Sequence, residues 1–232
     1  MGGGTHPKGR SVNFSFRDIR LPSHRHFGIL RIMDRDDFIR TLFRLAEPYL
    51  KVRGDLPHAR VSHQYSLRLL EQEGGEAGIV EPAIILHDVG WSQLTPEQIK
   101  IAFGVRAGGA EAERLNRIHE LEGAAIARRL LKSLKYNPDW VDRITFLIGR
   151  HDSGDKADSL EERLVKDADK LWRFSPLGFW NEIERQGLSA EELHGYLSEQ
   201  YGSWFFTLTA LKFAEEELRD RGKEISAANQ GF

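Results

Sequence analysis

Apolar residues recur at intervals of three and four along most of the chain, which is the spacing of helices with one buried face. The first such pattern begins at Asp34, ends near Gly54 and has its apolar positions at Phe38, Leu42, Leu45 and Tyr49. No stretch alternates apolar and polar residues as a half-buried strand would. The chain is therefore expected to be all-α, with a single helical domain.

Two further helices are predicted before residue 91. One covers residues 60–73, and its inward apolar positions are Val61, Leu67 and Leu70. The other covers residues 82–89, because Pro82 suits a first helical turn and Gly90 suits the position just after a helix end. Its apolar run, residues 83–86, indicates a buried helix.

Helix signals continue through the second half of the chain. Thr95 is the expected N-cap of a short helix, and Asn137 opens another that runs to about Arg150. The other predicted helices cover residues 111–135, 160–173, 176–186, 189–200 and 203–221. Residues 1–32 mix Gly, Pro, His and Arg and are expected to form an irregular N-terminal arm, so the all-α domain is predicted over residues 33–225.

The composition is that of a globular protein and excludes several chemistries. Of the 232 residues, 40% are hydrophobic and 29% charged, and the formal charge of −2 gives no general attraction to polymeric nucleic acid or to an anionic membrane. The absence of cysteine excludes disulfides, thiolate catalysis and cysteine-ligated metal sites. Neither a membrane-spanning segment nor a secretory signal is visible, so a cytoplasmic location is expected.

The dipeptide His87-Asp88 is the most informative feature of the chain. It follows directly on the apolar run of residues 83–86, where an unpaired carboxylate would be costly to bury. Imidazole and carboxylate are both ligands of divalent metals. The pair therefore predicts a metal site, in which His87 and Asp88 are also the expected catalytic residues.

Other candidate ligands fall on different predicted helices, as they do when a helical bundle builds a metal site from facing helices. They are His63, His119, His151 and Asp169. Asp167 is an alternative to Asp169, although the helical phase and Leu171 favour Asp169. The remaining histidines, His58 among them, are expected in loops or on polar faces. Asp155 is a weaker candidate for an acid at the edge of the site.

Three segments of the sequence resemble the HD-domain superfamily, whose members are helical metal-dependent phosphohydrolases. Residues 63–68 (HQYSLR) resemble the family's first histidine segment, and residues 85–90 (ILHDVG) resemble its His-Asp pair. Residues 166–171 (KDADKL) resemble the segment that carries the final aspartate. The resemblance covers about residues 60–175 and implies a helical bundle of the HD-domain type.

The resemblance implies that His63, His87, Asp88 and Asp169 hold one divalent metal. His119 and His151 match the additional histidines of two-metal members, in which the aspartate of the pair bridges both ions. Many of those members have two adjacent histidines where this chain has His151-Asp152, so one or two ions per chain are expected. Mixed His and Asp ligation favours a transition metal (Fe, Mn, Ni, Co or Zn) over Mg.

The implied activity is the hydrolysis of a nucleotide or another small phosphate ester by metal-activated water. Arg60 and Lys170 lie near proposed ligands in the sequence and are candidates for phosphate binding, with an outward salt-bridging role as the alternative. Two other functions stay open: a diiron oxygenase of the inositol-oxygenase type, and a regulatory module that binds a nucleotide without turnover. The sequence predicts no oligomeric state.

Overall fold

Helices account for all the regular secondary structure in the described part of the chain. The structure is a computed structural model, and it describes residues 34–105, 107–153 and 156–230. These residues form ten α-helices and no strand, which confirms the predicted all-α class. The helices are α1 (Arg35–Leu50), α2 (Leu56–Glu73), α3 (Ala77–Leu86), α4 (Pro96–Ala102), α5 (Ala110–Ser133), α6 (Pro138–Ile148), α7 (Leu160–Leu171), α8 (Pro176–Gln186), α9 (Ala190–Trp204) and α10 (Leu208–Gln230), with 3-10 turns at Val89–Gln93 and Trp172–Phe174.

The predicted helix starts at Asp34, Thr95 and Asn137 are N-caps. The Asp34 carboxylate accepts a hydrogen bond from the backbone N–H of Asp37, and the Asn137 side chain accepts from the first turn of α6. Thr95 forms a reciprocal capping box with Gln98. Local hydrogen bonding thus fixes where these helices begin.

α3 lies at the centre of the bundle. It packs against α1, α2, α6 and α7, and every residue from Gly78 to Trp91 is buried. It begins at Ala77, earlier than predicted, and Pro82 lies inside the helix rather than in its first turn. Its carboxyl end therefore places the next two residues, His87 and Asp88, inside the protein.

Gly90 is required by close packing and not by a left-handed backbone conformation. It lies in the 3-10 turn after α3, and its φ is not among the positive values. A Cβ atom at this position would lie 1.8 Å from the backbone oxygen of His119. The prediction that Gly90 comes directly after a helix end is wrong, because α3 ends at Leu86, and the role of Gly90 is to let α5 approach the turn that follows α3.

The buried face of α2 differs from the prediction. The helix begins at Leu56 and not at residue 60. Its buried residues are His58, Ala59, Ser62, Tyr65, Ser66 and Leu69, whereas Val61, Leu67 and Leu70 are only half-buried. Two serines occupy the inner face, so hydrophobicity alone gives the wrong phase for this helix.

Four remaining expectations concern the N-terminal arm, Asp155, the carboxyl end of the domain and membrane spans. The predicted arm over residues 1–32 and the candidate Asp155 lie outside the described residues. α10 continues to Gln230, past the predicted domain end at residue 225. None of the described helices is long and apolar enough to cross a membrane.

Candidate metal centre

His87 is buried at the end of α3 with one ring nitrogen left unpaired. Its Nδ1 is 2.7 Å from the backbone oxygen of Ile84, which makes Nδ1 the donor. Its Nε2 is buried, and no group in the described part of the chain forms a hydrogen bond with it. The nearest carboxylates are those of Asp169 and Asp88, at 3.3 and 3.4 Å. An imidazole held through Nδ1, with Nε2 facing carboxylates, is the usual arrangement of a metal-binding histidine.

The two carboxylate oxygens of Asp88 face two different groups of ligands. Oδ2 is 3.1 Å from Nδ1 of His58 and accepts a 2.6 Å hydrogen bond from Arg53. Oδ1 is 3.6 Å from Nε2 of His151 and 3.9 Å from Nε2 of His119. Asp88 therefore lies between the groups, as a bridging carboxylate would.

The first group consists of His58, His87 and Asp169, all of which are buried. Oδ1 of Asp169 is 2.9 Å from Nε2 of His58 and 3.3 Å from Nε2 of His87. These side chains come from α2, the end of α3 and α7. Their ligand atoms are near enough to one another to surround one metal ion.

The second group consists of His119, His151 and Asp152. The Nε2 atoms of the two histidines are 3.4 Å apart, and Nε2 of His119 is 3.8 Å from Oδ2 of Asp152. His151 resembles His87, because its Nδ1 lies 2.9 Å from a backbone oxygen, that of Ile148. The Asp152 side chain is 42% exposed, so this group is open on one side.

The structure brings together five of the predicted ligands, and the sixth, His63, lies elsewhere. Nε2 of His63 is 2.8 Å from Glu81, a buried carboxylate that also forms two hydrogen bonds with Arg35. His63 thus belongs to an ion-pair cluster that joins α1, α2 and α3. The prediction that His63 is the first histidine of the site is wrong, and His58 occupies that place.

The error follows from helix geometry. His58 and His63 are five residues apart, which rotates their side chains by about 140° around α2. Pro57, in the first turn of α2, was the available signal, because proline favours that position and so indicates a helix start before residue 60. A helix from that start places His58 in line with Ser62, Tyr65 and Leu69 on the buried face.

The two predicted phosphate-binding residues do not reach the site. Arg60 is exposed, and its guanidinium lies 5.1 Å from the ring centre of Phe43. Lys170 donates a 2.8 Å hydrogen bond to the backbone oxygen of Trp204. Although each is close to a proposed ligand in sequence, each side chain leaves its helix in another direction.

A cavity of about 210 Å³ opens beside the two ligand groups. His58, Asp88, His151, Asp152 and Asp169 contribute to its wall. The other lining residues are Arg53, Trp91, Ala102, Phe103, Gly104, Ala107, Asn116, Trp172, Arg173 and Glu182. Arg53 and Arg173 are therefore the arginines that line the cavity, and no pattern in the sequence indicated either of them.

Arg53 holds the Asp88 carboxylate from the side of the cavity. Its guanidinium lies 4.4 Å from the ring centre of Trp91 and 4.6 Å from that of Phe103. It pairs with Asp55 as well as with Asp88. Burial opposes the charge of Arg53, but these two carboxylates outweigh it and raise its pKa above the usual value.

The buried carboxylates of the cluster favour the charged form of two of its histidines, His58 and His151. Burial lowers the pKa of His58, but hydrogen bonds with Asp169 and Asp88 outweigh it and raise the pKa to about 9. In the same way Asp88 and Asp152 overcome burial and raise the pKa of His151 to about 10. Burial and the neighbouring His151 lower the pKa of His119 to about 4. A divalent cation held by these atoms would replace the protons, so the donor set and the unpaired Nε2 of His87 fit a metal.

Asp169, and not Asp167, lies against the histidines. Asp167 accepts hydrogen bonds from the backbone N–H groups of Phe206 and Thr207 and from the Thr207 hydroxyl. It therefore anchors the segment before α10. The preference for Asp169 over Asp167 agrees with this geometry.

Comparisons with known proteins agree with the fold. The chain matches two solved structures, a predicted HD superfamily hydrolase from an uncultured Thermotogales bacterium and an HD-superfamily hydrolase from Bacillus thuringiensis. The first is 17% identical with a TM-score of 0.56, over 83% of this chain and 91% of the other. The second is 20% identical with a TM-score of 0.55, over 85% and 98%. No curated protein matches the sequence.

The family model named HD domain matches residues 58–173. This match begins at His58 and includes the His87-Asp88 pair and Asp169, which are the residues that the structure places together around Asp88. The chain belongs to the HD domain family.

Proposed function

We propose that this protein is a metal-dependent phosphohydrolase that acts on a nucleotide or another small phosphate ester and uses two divalent ions. One observation carries the proposal: the two oxygens of Asp88 face separate His/Asp groups beside a cavity lined by arginine. Paired ions with a bridging carboxylate are typical of enzymes that transfer phosphoryl groups to water.

The proposed ligands of the first ion are His58, His87 and Asp169, and those of the second are His119, His151 and Asp152. Asp88 belongs to both. Histidine together with carboxylate favours a transition metal such as Fe, Mn, Ni, Co or Zn. Asp152 takes the position where many two-metal relatives have a histidine, so the second ion has one more oxygen and one fewer nitrogen ligand.

The chain's own side chains set up the reaction at this site. When bound, the ions polarise the phosphoryl group and make water nucleophilic near neutral pH. Hydrolysis breaks the ester P–O bond, joins the hydroxyl of water to phosphorus and leaves a proton for the alcohol. Arg53 and the indole N–H of Trp91, which is 2.9 Å from Oδ1, fix the Asp88 carboxylate. Because both groups are held in place, Asp88 keeps its orientation through turnover.

The cavity supports a small substrate. Its volume of about 210 Å³ lies below the roughly 300–1,000 Å³ of pockets that enclose drug-sized ligands. Its wall next to the ligands includes buried residues of α2, of α7 and of the turn that follows α7. We therefore expect a phosphorylated metabolite or a nucleotide, and not polymeric nucleic acid.

Metal content and hydrolysis, measured together, test the proposal. Purified protein is loaded with Mn²⁺, Fe²⁺, Co²⁺, Ni²⁺ or Zn²⁺, desalted, analysed for bound metal and assayed for phosphate release from a panel of phosphate esters. We expect about two ions per chain and release of phosphate. Asp88→Ala should lose both ions and all activity, and Asp88→Asn, which keeps the side-chain shape, should weaken both ions.

Three results would contradict the proposal. Full activity of Asp88→Ala would remove Asp88 from the chemistry. Oxygen uptake by the iron-loaded protein with an organic substrate, without phosphate release, would favour an oxygenase. Binding of a nucleotide by the metal-loaded protein without turnover on any ester would favour a regulatory module.

A further inference from the structure

Arg173 lines the cavity, and its guanidinium donates no hydrogen bond to any residue in the described part of the chain. It lies in the turn Trp172–Phe174, four residues after Asp169, and lines the cavity together with that ligand. Within the described ranges of the chain, no hydrogen bond or ion pair holds its guanidinium, although the side chain is half-buried. Its hydrogen-bond donors are therefore free for a ligand in the cavity.

The other arginines of this region are already neutralised. Arg53 pairs with Asp55 and Asp88, and Arg185 pairs with Asp55 and Glu182. The nearby acids Glu182, Asp169 and Asp152 raise the pKa of Arg173 despite burial, so it stays charged. Arg173 thus differs from Arg53 and Arg185 in offering its donors to the cavity.

Asn116 lines the same cavity and has an unpaired hydrogen-bond acceptor. It lies on α5, one turn before His119, and lines the cavity. Its Oδ1 atom is buried, and no donor in the described part of the chain reaches it. A buried, unpaired amide oxygen accepts a hydrogen bond from a hydroxyl or amino group of a ligand. A ligand without such a group binds more weakly, because the oxygen then stays unpaired.

We propose that Arg173 binds a phosphate oxygen of the substrate and that Asn116 accepts a hydrogen bond from a hydroxyl of the alcohol portion. The substrate is then a phosphomonoester that carries a hydroxyl near the phosphate, such as a sugar phosphate, a polyol phosphate or a nucleoside monophosphate. This inference rests on the proposed function for the hydrolytic step, but the binding of phosphate by Arg173 does not depend on turnover.

The charge and volume of the site favour a monoester over a diester. A phosphomonoester carries a charge between about −1.5 and −2 at neutral pH, whereas a diester carries a single negative charge. Arg173 adds a cation with free hydrogen-bond donors beside the proposed ions. A cavity of about 210 Å³ has room for one substituent next to the phosphate more readily than for two.

Binding of inorganic phosphate tests the role of Arg173. Isothermal titration calorimetry with metal-loaded protein compares the wild type with Arg173→Ala and Arg173→Lys. Arg163→Ala is the matched control, because Arg163 is exposed on α7 and does not line the cavity. We expect a loss of phosphate affinity of about 10- to 100-fold for Arg173→Ala and a smaller loss for Arg173→Lys, which keeps the charge but not the two-pronged geometry.

Metal content and thermal unfolding of the same variants show whether the site survives. We expect the wild-type number of ions in both Arg173 variants and in the control. Phosphate affinity of Arg173→Ala within twofold of the wild type would overturn the role of Arg173. If the wild type hydrolyses no ester but binds phosphate in a way that depends on Arg173, the phosphate subsite stands and only the hydrolytic function fails.

Substrate preference tests the role of Asn116. The ratio of kcat/KM for glycerol 1-phosphate to that for phenyl phosphate is compared between the wild type and Asn116→Ala. We expect the ratio to fall at least tenfold, because only glycerol 1-phosphate has a free hydroxyl to donate. An unchanged ratio would overturn the assignment of Asn116, and faster cleavage of bis-p-nitrophenyl phosphate than of p-nitrophenyl phosphate would overturn the monoester assignment.

Discussion

The two ligand groups around Asp88 differ in how the fold holds them. His58, His87 and Asp169 are buried and come from α2, α3 and α7, which pack against one another in the core. His119 lies on α5, but His151 and Asp152 lie in the turn after α6, and the Asp152 side chain is 42% exposed. The first group is thus part of the core, whereas the second depends on a turn at the surface.

We expect this difference to give the first group the higher affinity for its metal ion and the second group the greater access to solvent. A metal site made by packed helices is preorganised, because its ligands cannot move without disturbing the core. A site closed by an exposed carboxylate binds less tightly but is open to solvent and to a ligand in the cavity. We therefore expect the first ion to stay bound during purification and the second to exchange.

Buried polar contacts limit the freedom of the second group. The Glu120 carboxylate accepts hydrogen bonds from the backbone N–H groups of Asp152 and Ser153, at 3.0 and 2.7 Å. It also accepts from the Ser153 hydroxyl and from Arg117. Lys166, from α7, donates to the backbone oxygens of Arg150 and Ser153. The backbone of the turn is therefore held by α5 and α7, while the Asp152 side chain remains exposed.

The largest effect is expected from removing a ligand of the first group. His58→Ala should lose the first ion, and activity with it, because it removes an imidazole whose Nδ1 is 3.1 Å from Asp88 and whose Nε2 is 2.9 Å from Asp169. The control is His63→Ala, on the same helix. That variant should keep all bound metal but lose about 1–3 kcal/mol of unfolding free energy, since the buried Glu81 loses one partner. Metal analysis and thermal unfolding distinguish the two variants. If His63→Ala lost metal and His58→Ala did not, His63 and not His58 would be the ligand.

The pair His58 and His63 also shows how much of the fold and of the site can be predicted from the sequence. The all-α class, the N-caps at Asp34 and Thr95, and the proximity of His87, Asp88, His119, His151 and Asp169 were predictable, because each depends on local patterns or on the resemblance to a family. The apolar pattern did not predict the phase of α2, since Ser62 and Ser66 lie on its buried face, although Pro57 indicated the earlier start of the helix.

The sequence contains no comparable signal for residues that reach the cavity only through the tertiary structure. Lys170 is next to Asp169 in sequence, yet an α-helix turns adjacent side chains about 100° apart, so Lys170 reaches Trp204 instead of the cavity. Arg53 and Arg173 meet at the cavity only because α7 and the segment before α2 come together. Sequence proximity to a ligand is therefore weak evidence for contact with the substrate.

A smaller effect is expected from Asp152→Ala, which tests whether the second group binds an ion. Because the side chain is exposed, the variant should unfold at nearly the wild-type temperature. It should retain the first ion and lose the second on desalting, so metal content falls from about two to about one per chain. Glu122→Ala, an exposed acid on α5, is the control and should retain both ions. Two bound ions in Asp152→Ala would show that His119, His151, Asp88 and solvent hold the second ion without Asp152.

The smallest effect is expected from Glu120→Gln, which leaves every proposed ligand in place. Glutamine still offers one oxygen to the backbone N–H groups of Asp152 and Ser153, but its amide NH₂ faces Arg117 or the Ser153 hydroxyl, where the carboxylate accepted hydrogen bonds. The turn should loosen, and the affinity for the second ion should fall about 10- to 100-fold, as is common when a group that supports a metal ligand is replaced. Calorimetric titration with Mn²⁺ should show a normal first binding step and a weakened second one. Equal weakening of both steps would mean that the core and the turn act as one unit, because a change confined to the turn would then reach ligands on α2, α3 and α7.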